Sequence, residues 1–440
     1  MIKEKDFIKV FPGRLKSKLK ESIVPYQDID IKATVKELYK QITNLTYHPS
    51  PPRDYIVSNK HNYVSRIVTT FSTKDYLLTY FCCKLIETDL SKGRVRGTFG
   101  GWRLGNKIKL KEQQEELFLE LESSVPSNSY DPSLWRKNLQ DFNKKALQIS
   151  NSGDFKYFIK FDIANFYNNV NLDILYRKVL AAIPKSKTRY VELLFHFLRN
   201  WNKKFEGFST KTVGLPQDEV GDCSRLLANF YLQDYDKFFY RLCTKNKSKY
   251  LRYADDQVIF CPNKEIARKI LFESSKQLFK IGLDINSSKV IEFKGKSLFE
   301  KYWAFEIFEL LDDMSDRKKV RKAVSKYFHY KKYNVSFRES SVLKRLVSIN
   351  FRLLNSKQKN GLFDSFTETE FLSRLDWWFI NKLYNNIDTK RKEILLRRLK
   401  RIQKKVNFNS YHYNLKIFYN KNKIPFDNKG LVKIINGIKI

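Results

Sequence analysis

Lys249-Tyr250-Leu251-Arg252-Tyr253-Ala254-Asp255-Asp256-Gln257-Val258-Ile259-Phe260-Cys261 sets two adjacent acids between two runs that read as β-strands. Leu251 and Tyr253 lead in, Val258 and Phe260 lead out, and the acids fall where the chain turns back. Asp255 and Asp256 side by side at a hairpin tip concentrate negative charge that a hard cation such as magnesium would neutralise. Asp is also a common turn residue, so a plain solvated turn explains this stretch equally well until a third acid is found.

That acid lies upstream. Tyr157-Phe158-Ile159-Lys160-Phe161-Asp162-Ile163-Ala164-Asn165-Phe166-Tyr167 is an apolar, aromatic run with one Asp where a central strand would end. A carboxylate in such surroundings is costly unless it is paired or binds a metal, so Asp162 reads as a ligand. Between the two stretches come Gly214-Leu215-Pro216-Gln217 and Ser224-Arg225-Leu226-Leu227-Ala228-Asn229, a turn entering a helix with an apolar face. After the hairpin comes Ile281-Gly282-Leu283-Asp284-Ile285-Asn286-Ser287-Ser288-Lys289.

In this order the four segments resemble the palm of reverse transcriptases. The helix start at Ser224 and the long basic tail look most like the bacterial defence-associated, abortive-infection group. Reverse transcriptases usually follow Gly-Leu-Pro-Gln with Gly and reach the Ser sooner, whereas here Asp218-Glu219-Val220-Gly221-Asp222-Cys223 intervenes. The resemblance implies an α+β right-hand polymerase: fingers, a palm with an antiparallel sheet and helices, then an all-helical basic thumb or C-terminal extension. The expected domains are 1–154 for N-terminal helices and fingers, 155–305 for the palm with a fingers insert at about 172–212, and 306–440 for the thumb.

The resemblance also implies an RNA-directed DNA polymerase using two magnesium ions. Asp162 and Asp255 would bridge the metals, Asp256 would support them, and the backbone carbonyl of Ile163 would add an oxygen ligand. Tyr167, five residues after Asp162, occupies the place where the family sets a bulky side chain beneath the incoming sugar, which selects deoxynucleotides. Gln217 and Arg66 resemble residues that meet the incoming nucleotide, and Lys289 is a candidate donor to the leaving pyrophosphate.

Composition supports a polyanionic partner. Lys and Arg number 84 against 47 acids, a formal net charge of +37, and each phosphate neutralised releases a counterion. The expected partners are RNA, including a structured noncoding template, with dNTPs and a DNA product; homo-oligomerisation stays open. The 15% aromatic content suits stacking on unpaired bases. Five cysteines without CxxC spacing suggest a reducing compartment and no zinc site. With no secretory leader and no apolar run of membrane-spanning length, the expectation is a cytoplasmic protein without a membrane partner.

Elsewhere, residues 31–42 carry helical spacing, 49–52 break it with prolines, and 63–71 read as a strand before a helix over 73–87. Residues 92–105 pack five glycines among Arg94, Arg96 and Arg103, and read as a fingers hairpin whose backbone approaches template or structured RNA. Residues 111–150 and 172–200 read as helical. Thr367-Glu368-Thr369-Glu370 reads as a capping box opening a helix that carries Trp377 and Trp378. Over 390–406, Leu395, Leu399, Ile402 and Val406 form an apolar stripe, with Arg397, Arg398 and Arg401 on other faces; these and Arg225 are candidate nucleic-acid contacts. Two alternatives stay open: template-independent or protein-primed DNA synthesis, for which Tyr411, Tyr413 and Tyr419 are only three of many tyrosines, and an RNA-binding scaffold. Retron enzymes are set apart because their signatures are not recognised in the chain.

Overall fold

The apolar, largely buried runs at residues 157–161 and 249–261 build the central sheet of the chain. A computed structural model of the chain describes residues 2–11, 13, 15, 19, 30–51, 54–101, 104, 108–113, 116–121, 132–202, 214–217 and 223–436. The strands in chain order are β1 (Asp54–His61), β2 (Val64–Thr70), β3 (Thr98–Phe99), β4 (Ile108–Gln113), β5 (Glu116–Leu121), β6 (Tyr157–Phe161), β7 (Lys249–Tyr253), β8 (Asp256–Cys261) and β9 (Ile291–Lys294). Two compact units emerge, one of residues 1–54 with 68–296 and the other of residues 55–67 with 297–440.

In the first unit a five-stranded sheet runs β3-β7-β8-β6-β9, antiparallel throughout except that β3 joins β7 in parallel. Strand side chains alternate between faces, so the register sorts them. Tyr157, Ile159 and Phe161 of β6, with Tyr250 and Ile259, face one large apolar core. The helices Cys223–Tyr231, Gln233–Lys245 and Lys264–Phe279 cover that face, contributing Leu226, Phe239 and Ile270 among others. The opposite face carries Phe158, Lys160, Leu251, Tyr253, Asp256, Val258 and Phe260. There the helix Pro132–Ser150 covers one corner, its Phe142 ring 6.0 Å from Tyr253 and 5.8 Å from Phe99.

The expected helices over 31–42, 73–87 and 172–200 are present as Ile31–Thr43, Thr73–Ser91, Leu172–Ala182 and Thr188–Asn200. Three readings are corrected. Residues 108–113 and 116–121 pair as antiparallel strands instead of helix, Lys109 with Glu120 and Leu110 with Leu119; the period-two alternation there outweighs the charge pattern that suggested a helix. In the glycine-rich run, Thr98–Phe99 forms not a hairpin but the parallel edge of the main sheet. Gly97, at φ +95°, accepts from Arg252 N at 3.0 Å, and a β-carbon there would stand 2.9 Å from the Tyr250 carbonyl. Its glycine lets two strands close on each other.

The third correction concerns the second unit. Thr367 ends the helix Ser356–Phe366, its hydroxyl donating back to Phe363 O at 2.7 Å, as threonine does at a helix end. A separate turn, Thr369–Leu372, follows, and Trp377 opens another helix, Trp377–Asn386. The capping box of this region is Asn355 with Gln358. The expected apolar stripe does form on Thr389–Gln403, with Leu395, Leu399 and Ile402 buried. The β1–β2 segment 55–67 belongs to this helical unit: Asn409 accepts from Val57 N and donates to Tyr55 O, both at 2.8 Å, and Asn59 donates to Ser373.

Candidate active site

Tyr253 pairs with Asp256, so only Ala254 and Asp255 turn the hairpin, and Asp256 is already the first residue of β8. Ala254 sits at φ +54°, a left-handed conformation that a non-glycine residue holds only when its surroundings impose it. Arg252 supplies that constraint. It is fully buried (0% exposed), and its Nη1 donates to Ala254 O at 2.8 Å and to Asn229 Oδ1 at 2.8 Å. Its Nε and Nη2 grip Asp236 at 2.8 and 2.5 Å, a forked pair, and Tyr250 donates to the same carboxylate at 2.9 Å. Burial opposes the guanidinium's charge, but Asp236 holds it protonated.

Asp162 follows the last residue of β6. Phe161 pairs with Gln257, so continuing that register by one residue sets Asp162 level with Asp256 on the sheet face away from the large core. Asp162 is 3% exposed; Lys289 ion-pairs with its Oδ2, and its Oδ1 is buried without a hydrogen-bond partner. Lys160, two residues earlier on the same face, pairs with Asp256 at 2.6 Å. Asp255 is pushed up to about 7, first by burial, then by the charges of Asp162 and Asp256 and by a hydrogen bond to Asp162. For Lys289, burial opposes the charge, and the Asp162 contact more than restores it.

These residues fit a divalent cation. The orphaned Asp162 oxygen, an Asp255 carboxyl pushed up by burial and by two neighbouring acids, and two lysines drawn onto the acids all mark a corner short of positive charge. Ile163 bridges to Ile285 using Ala164 N and Asp162 O, which turns the Ile163 carbonyl away from that strand and toward the hairpin side. Among the described residues, no three His, Cys, Asp or Glu side chains are grouped to hold a metal ion, and lysines pair with two of the acids, Asp162 and Asp256.

The nucleotide-side candidates divide. Tyr167, half-buried on the helical turn Phe166–Asn169, is joined to the Gly-Leu-Pro-Gln turn: its carbonyl accepts from Leu215 N at 2.8 Å, and Trp201 Nε1 holds Gly214 O at 2.9 Å. Gln217 is half-buried on the same turn. A β-carbon on Gly214 would stand 2.1 Å from Tyr167 O and 2.5 Å from Asn168 O, both backbone atoms that cannot swing aside. Gly214→Ala is therefore expected to cost about 1–3 kcal/mol in denaturant unfolding, as overpacking does. An unchanged midpoint would show that the turn is not docked this tightly.

Arg66 lies exposed on β2, in the segment grouped with the C-terminal helices. Arg94 spends Nε and Nη2 on Thr98 O at 3.0 and 2.6 Å, Arg96 is exposed, and exposed Arg225 packs its stem against Gly101. Arg397 and Arg401 are exposed on their helix, while Arg398 donates to Thr367 and lies 3.9 Å from Asp364. Arg103 and residues 218–222 lie outside the described residues. Sequence reasoning passed over Lys160, Asn229, Asp236 and Arg252. The available signal was a basic residue two or three positions before an acid inside an apolar strand.

Residues 94–330 match the profile described as reverse transcriptase (RNA-dependent DNA polymerase). Over 164 residues the chain is 26% identical to the retron Ec83 reverse transcriptase of Escherichia coli, covering 35% of this chain and 47% of that protein. The chain thus spans about half the length of this curated relative, an enzyme of the group set apart in the sequence reading. Among solved structures, telomerase from Candida albicans with a fragment of telomeric RNA is similar at 13% identity and a TM-score of 0.37, covering 82% of this chain and 70% of that one. Apo telomerase from Candida tropicalis is similar at 14% identity and a TM-score of 0.30, covering 85% and 77%. Among the described residues, no helix is long and apolar enough to cross a membrane.

Proposed function

Because this chain belongs to the reverse transcriptase family, we propose that it is an RNA-directed DNA polymerase, adding deoxynucleotides to a 3′ hydroxyl opposite an RNA template. The observation that carries this reading is the meeting of Asp162, Asp255 and Asp256, from strands distant in sequence, at one corner where an Asp162 oxygen is left unpartnered. Two magnesium ions held by these carboxylates and the Ile163 carbonyl would, when bound, ease ionisation of the 3′ hydroxyl and neutralise the triphosphate. Asp256, paired to Lys160, steadies the acid pair beside it. Lys289, kept charged by Asp162 at the same corner, is assigned to protonate the leaving pyrophosphate.

Gln217 and Arg66 are assigned to the incoming nucleotide. Arg94, Arg96, Arg103 and Arg225 are assigned to the template, and Arg397, Arg398 and Arg401 to phosphates along the bound nucleic acid. Tyr167 is assigned the sugar gate, because the docked Gly214 turn fixes the backbone from which its ring projects. Tyr167→Val should lower the preference for dNTP over rNTP, as kcat/KM ratios, by about 10–100-fold, the scale set by removing a steric exclusion from a pocket. An unchanged ratio would reduce Tyr167 to a packing residue.

A dedicated noncoding RNA as template, a role in antiphage defence and a cytoplasmic setting complete the proposal. Similarity to a retron reverse transcriptase fits that setting. The deciding experiment purifies the wild type beside Asp255→Ala/Asp256→Ala and sequences co-purifying RNA and DNA with and without protease digestion. One RNA with both proteins, and its complementary DNA with the wild type alone, supports templated synthesis. DNA that matches no bound RNA, or that is freed only by protease, would transfer the assignment to untemplated or protein-primed synthesis. Tyr411 and Tyr419 are buried, which weighs against either as a primer. Equal DNA from both proteins would remove the hairpin from catalysis.

A further inference from the structure

The helix Lys264–Phe279 buries Ala267, Ile270 and Leu278 against the sheet face opposite the three acids. Its outer side is unusual. Lys269, Phe272, Lys276 and Phe279 recur at intervals of three, four and three residues, so they form one line along the helix. Phe272 is 63% exposed and Phe279 76% exposed. Lys276 Nζ lies 5.3 Å from the centre of the Phe272 ring and also reaches Glu273 at 3.1 Å. Beside Phe279, a shallow hollow of about 390 Å³ is lined by Ser275, Lys276, Lys280 and Asp284 as well as by Phe279 itself.

From 268 to 280 the exposed residues are Arg268, Lys269, Phe272, Lys276, Phe279 and Lys280: two rings and four cations, with no aliphatic side chain and no acid among them. An apolar protein surface covering the rings would have to desolvate these cations, of which Arg268 and Lys276 already lean on Glu292 and Glu273. A single-stranded polyanion meets both demands, since its phosphates match the cations and its bases stack on the rings. Seven helical residues place the two rings about 10 Å apart, which is about three base steps.

We propose that Lys269, Phe272, Lys276 and Phe279 form a seat for unpaired RNA on the side of the sheet away from the carboxylates. The inference rests on the RNA-directed reading, and it adds a second RNA contact: a stretch held here is remote from the strand being copied and anchors the flank of the same molecule. Because all four side chains are on the surface, replacing them leaves the buried core untouched.

The test uses the full chain and a 20-nucleotide unpaired RNA carrying 4-thiouridine, at a salt concentration high enough to suppress diffuse phosphate binding. Ultraviolet crosslinking should label the peptide that contains Phe272 and Phe279. Phe272→Ala/Phe279→Ala should weaken binding of the 20-mer at least about tenfold, the scale of losing base-stacking partners. Extension of a primer on a template with no long overhang should stay at the wild-type rate. Equal affinity in the double variant, or crosslinks confined to other peptides, overturns the seat. So does a DNA 20-mer that binds the stripe more tightly than RNA, or a wild-type dimer that the double variant dissolves in sedimentation. If the wild type fails to extend the primer yet shows the crosslink and the Phe-dependent affinity, the seat stands and the polymerase reading falls.

Discussion

Asp255→Asn is expected to reduce nucleotide addition by about a thousandfold, the upper end for deleting one electrostatic contact to a transition state, while leaving the fold as stable as the wild type or more so. The two effects separate because Asp255 is a charge the folded chain resists. Burial and the neighbouring Asp162 and Asp256 push its carboxyl up to about 7, well above the usual aspartate range. An amide of the same shape relieves that repulsion and keeps the hydrogen-bonding capacity. The pH dependence follows from the same shift. A carboxyl whose folded pKa exceeds its unfolded value binds more protons in the folded chain, so its stabilising contribution is complete at low pH and is lost as pH rises toward 7. Without divalent cations, the wild type should therefore lose stability from about pH 4 to about pH 7 relative to the Asn variant. Single-turnover primer extension and parallel melts across pH check both halves. A variant that keeps activity, or that melts well below the wild type throughout, would show that the corner is a structural turn.

Arg252→Met is expected to destabilise the chain by about 3–5 kcal/mol, the largest stability effect anticipated here, because it leaves Asp236 buried with its charge uncompensated. The pair is fully enclosed: Asp236 and Arg252 are both 0% exposed, and the second arm of the guanidinium holds Asn229 and the Ala254 carbonyl. Arg252→Lys should recover little, since a single ammonium cannot replace the fork on Asp236 and also reach Asn229 and Ala254. Urea unfolding followed by circular dichroism measures the loss. A cost below about 1 kcal/mol, the range of exposed ion pairs, would mean that water already reaches the network. By contrast, Lys289→Ala should change stability little, because Lys289 is half exposed and its pair with Asp162 is partly screened.

Some of this could be read without coordinates. An acid inside an aromatic strand, and two acids at the tip of an alternating hairpin, are locally expensive, and local expense is visible in a single chain segment. Asp162, Asp255 and Asp256 therefore stood out, as did the buried stripe at Leu395, Leu399 and Ile402, whose spacing is set within one helix. Other features depended on partners far along the chain. Lys160 faces Asp256 only because β6 and β8 pair in the register Phe161 to Gln257. Gly97 is required by the Tyr250 carbonyl and Gly214 by the backbone of Tyr167, so neither glycine revealed its reason in its own neighbourhood. Arg252 read as one more cation in a basic chain until Asp236 and Asn229, on two other elements, closed around it.

Composition and local periodicity alone established the cationic surplus, the hairpin and the three candidate acids, while the α+β fold was implied by the resemblance of the ordered motifs to a reverse-transcriptase palm. The first three are sums over single residues or over neighbours a few positions apart. The tertiary structure decided which acid each lysine neutralises, why the hairpin tip holds a left-handed alanine, and that a line of lysines and phenylalanines stands unpaired with any core on the far side of the sheet. Each of these is a relation between segments tens of residues apart, and strand register and burial, which only the folded chain possesses, are what create it.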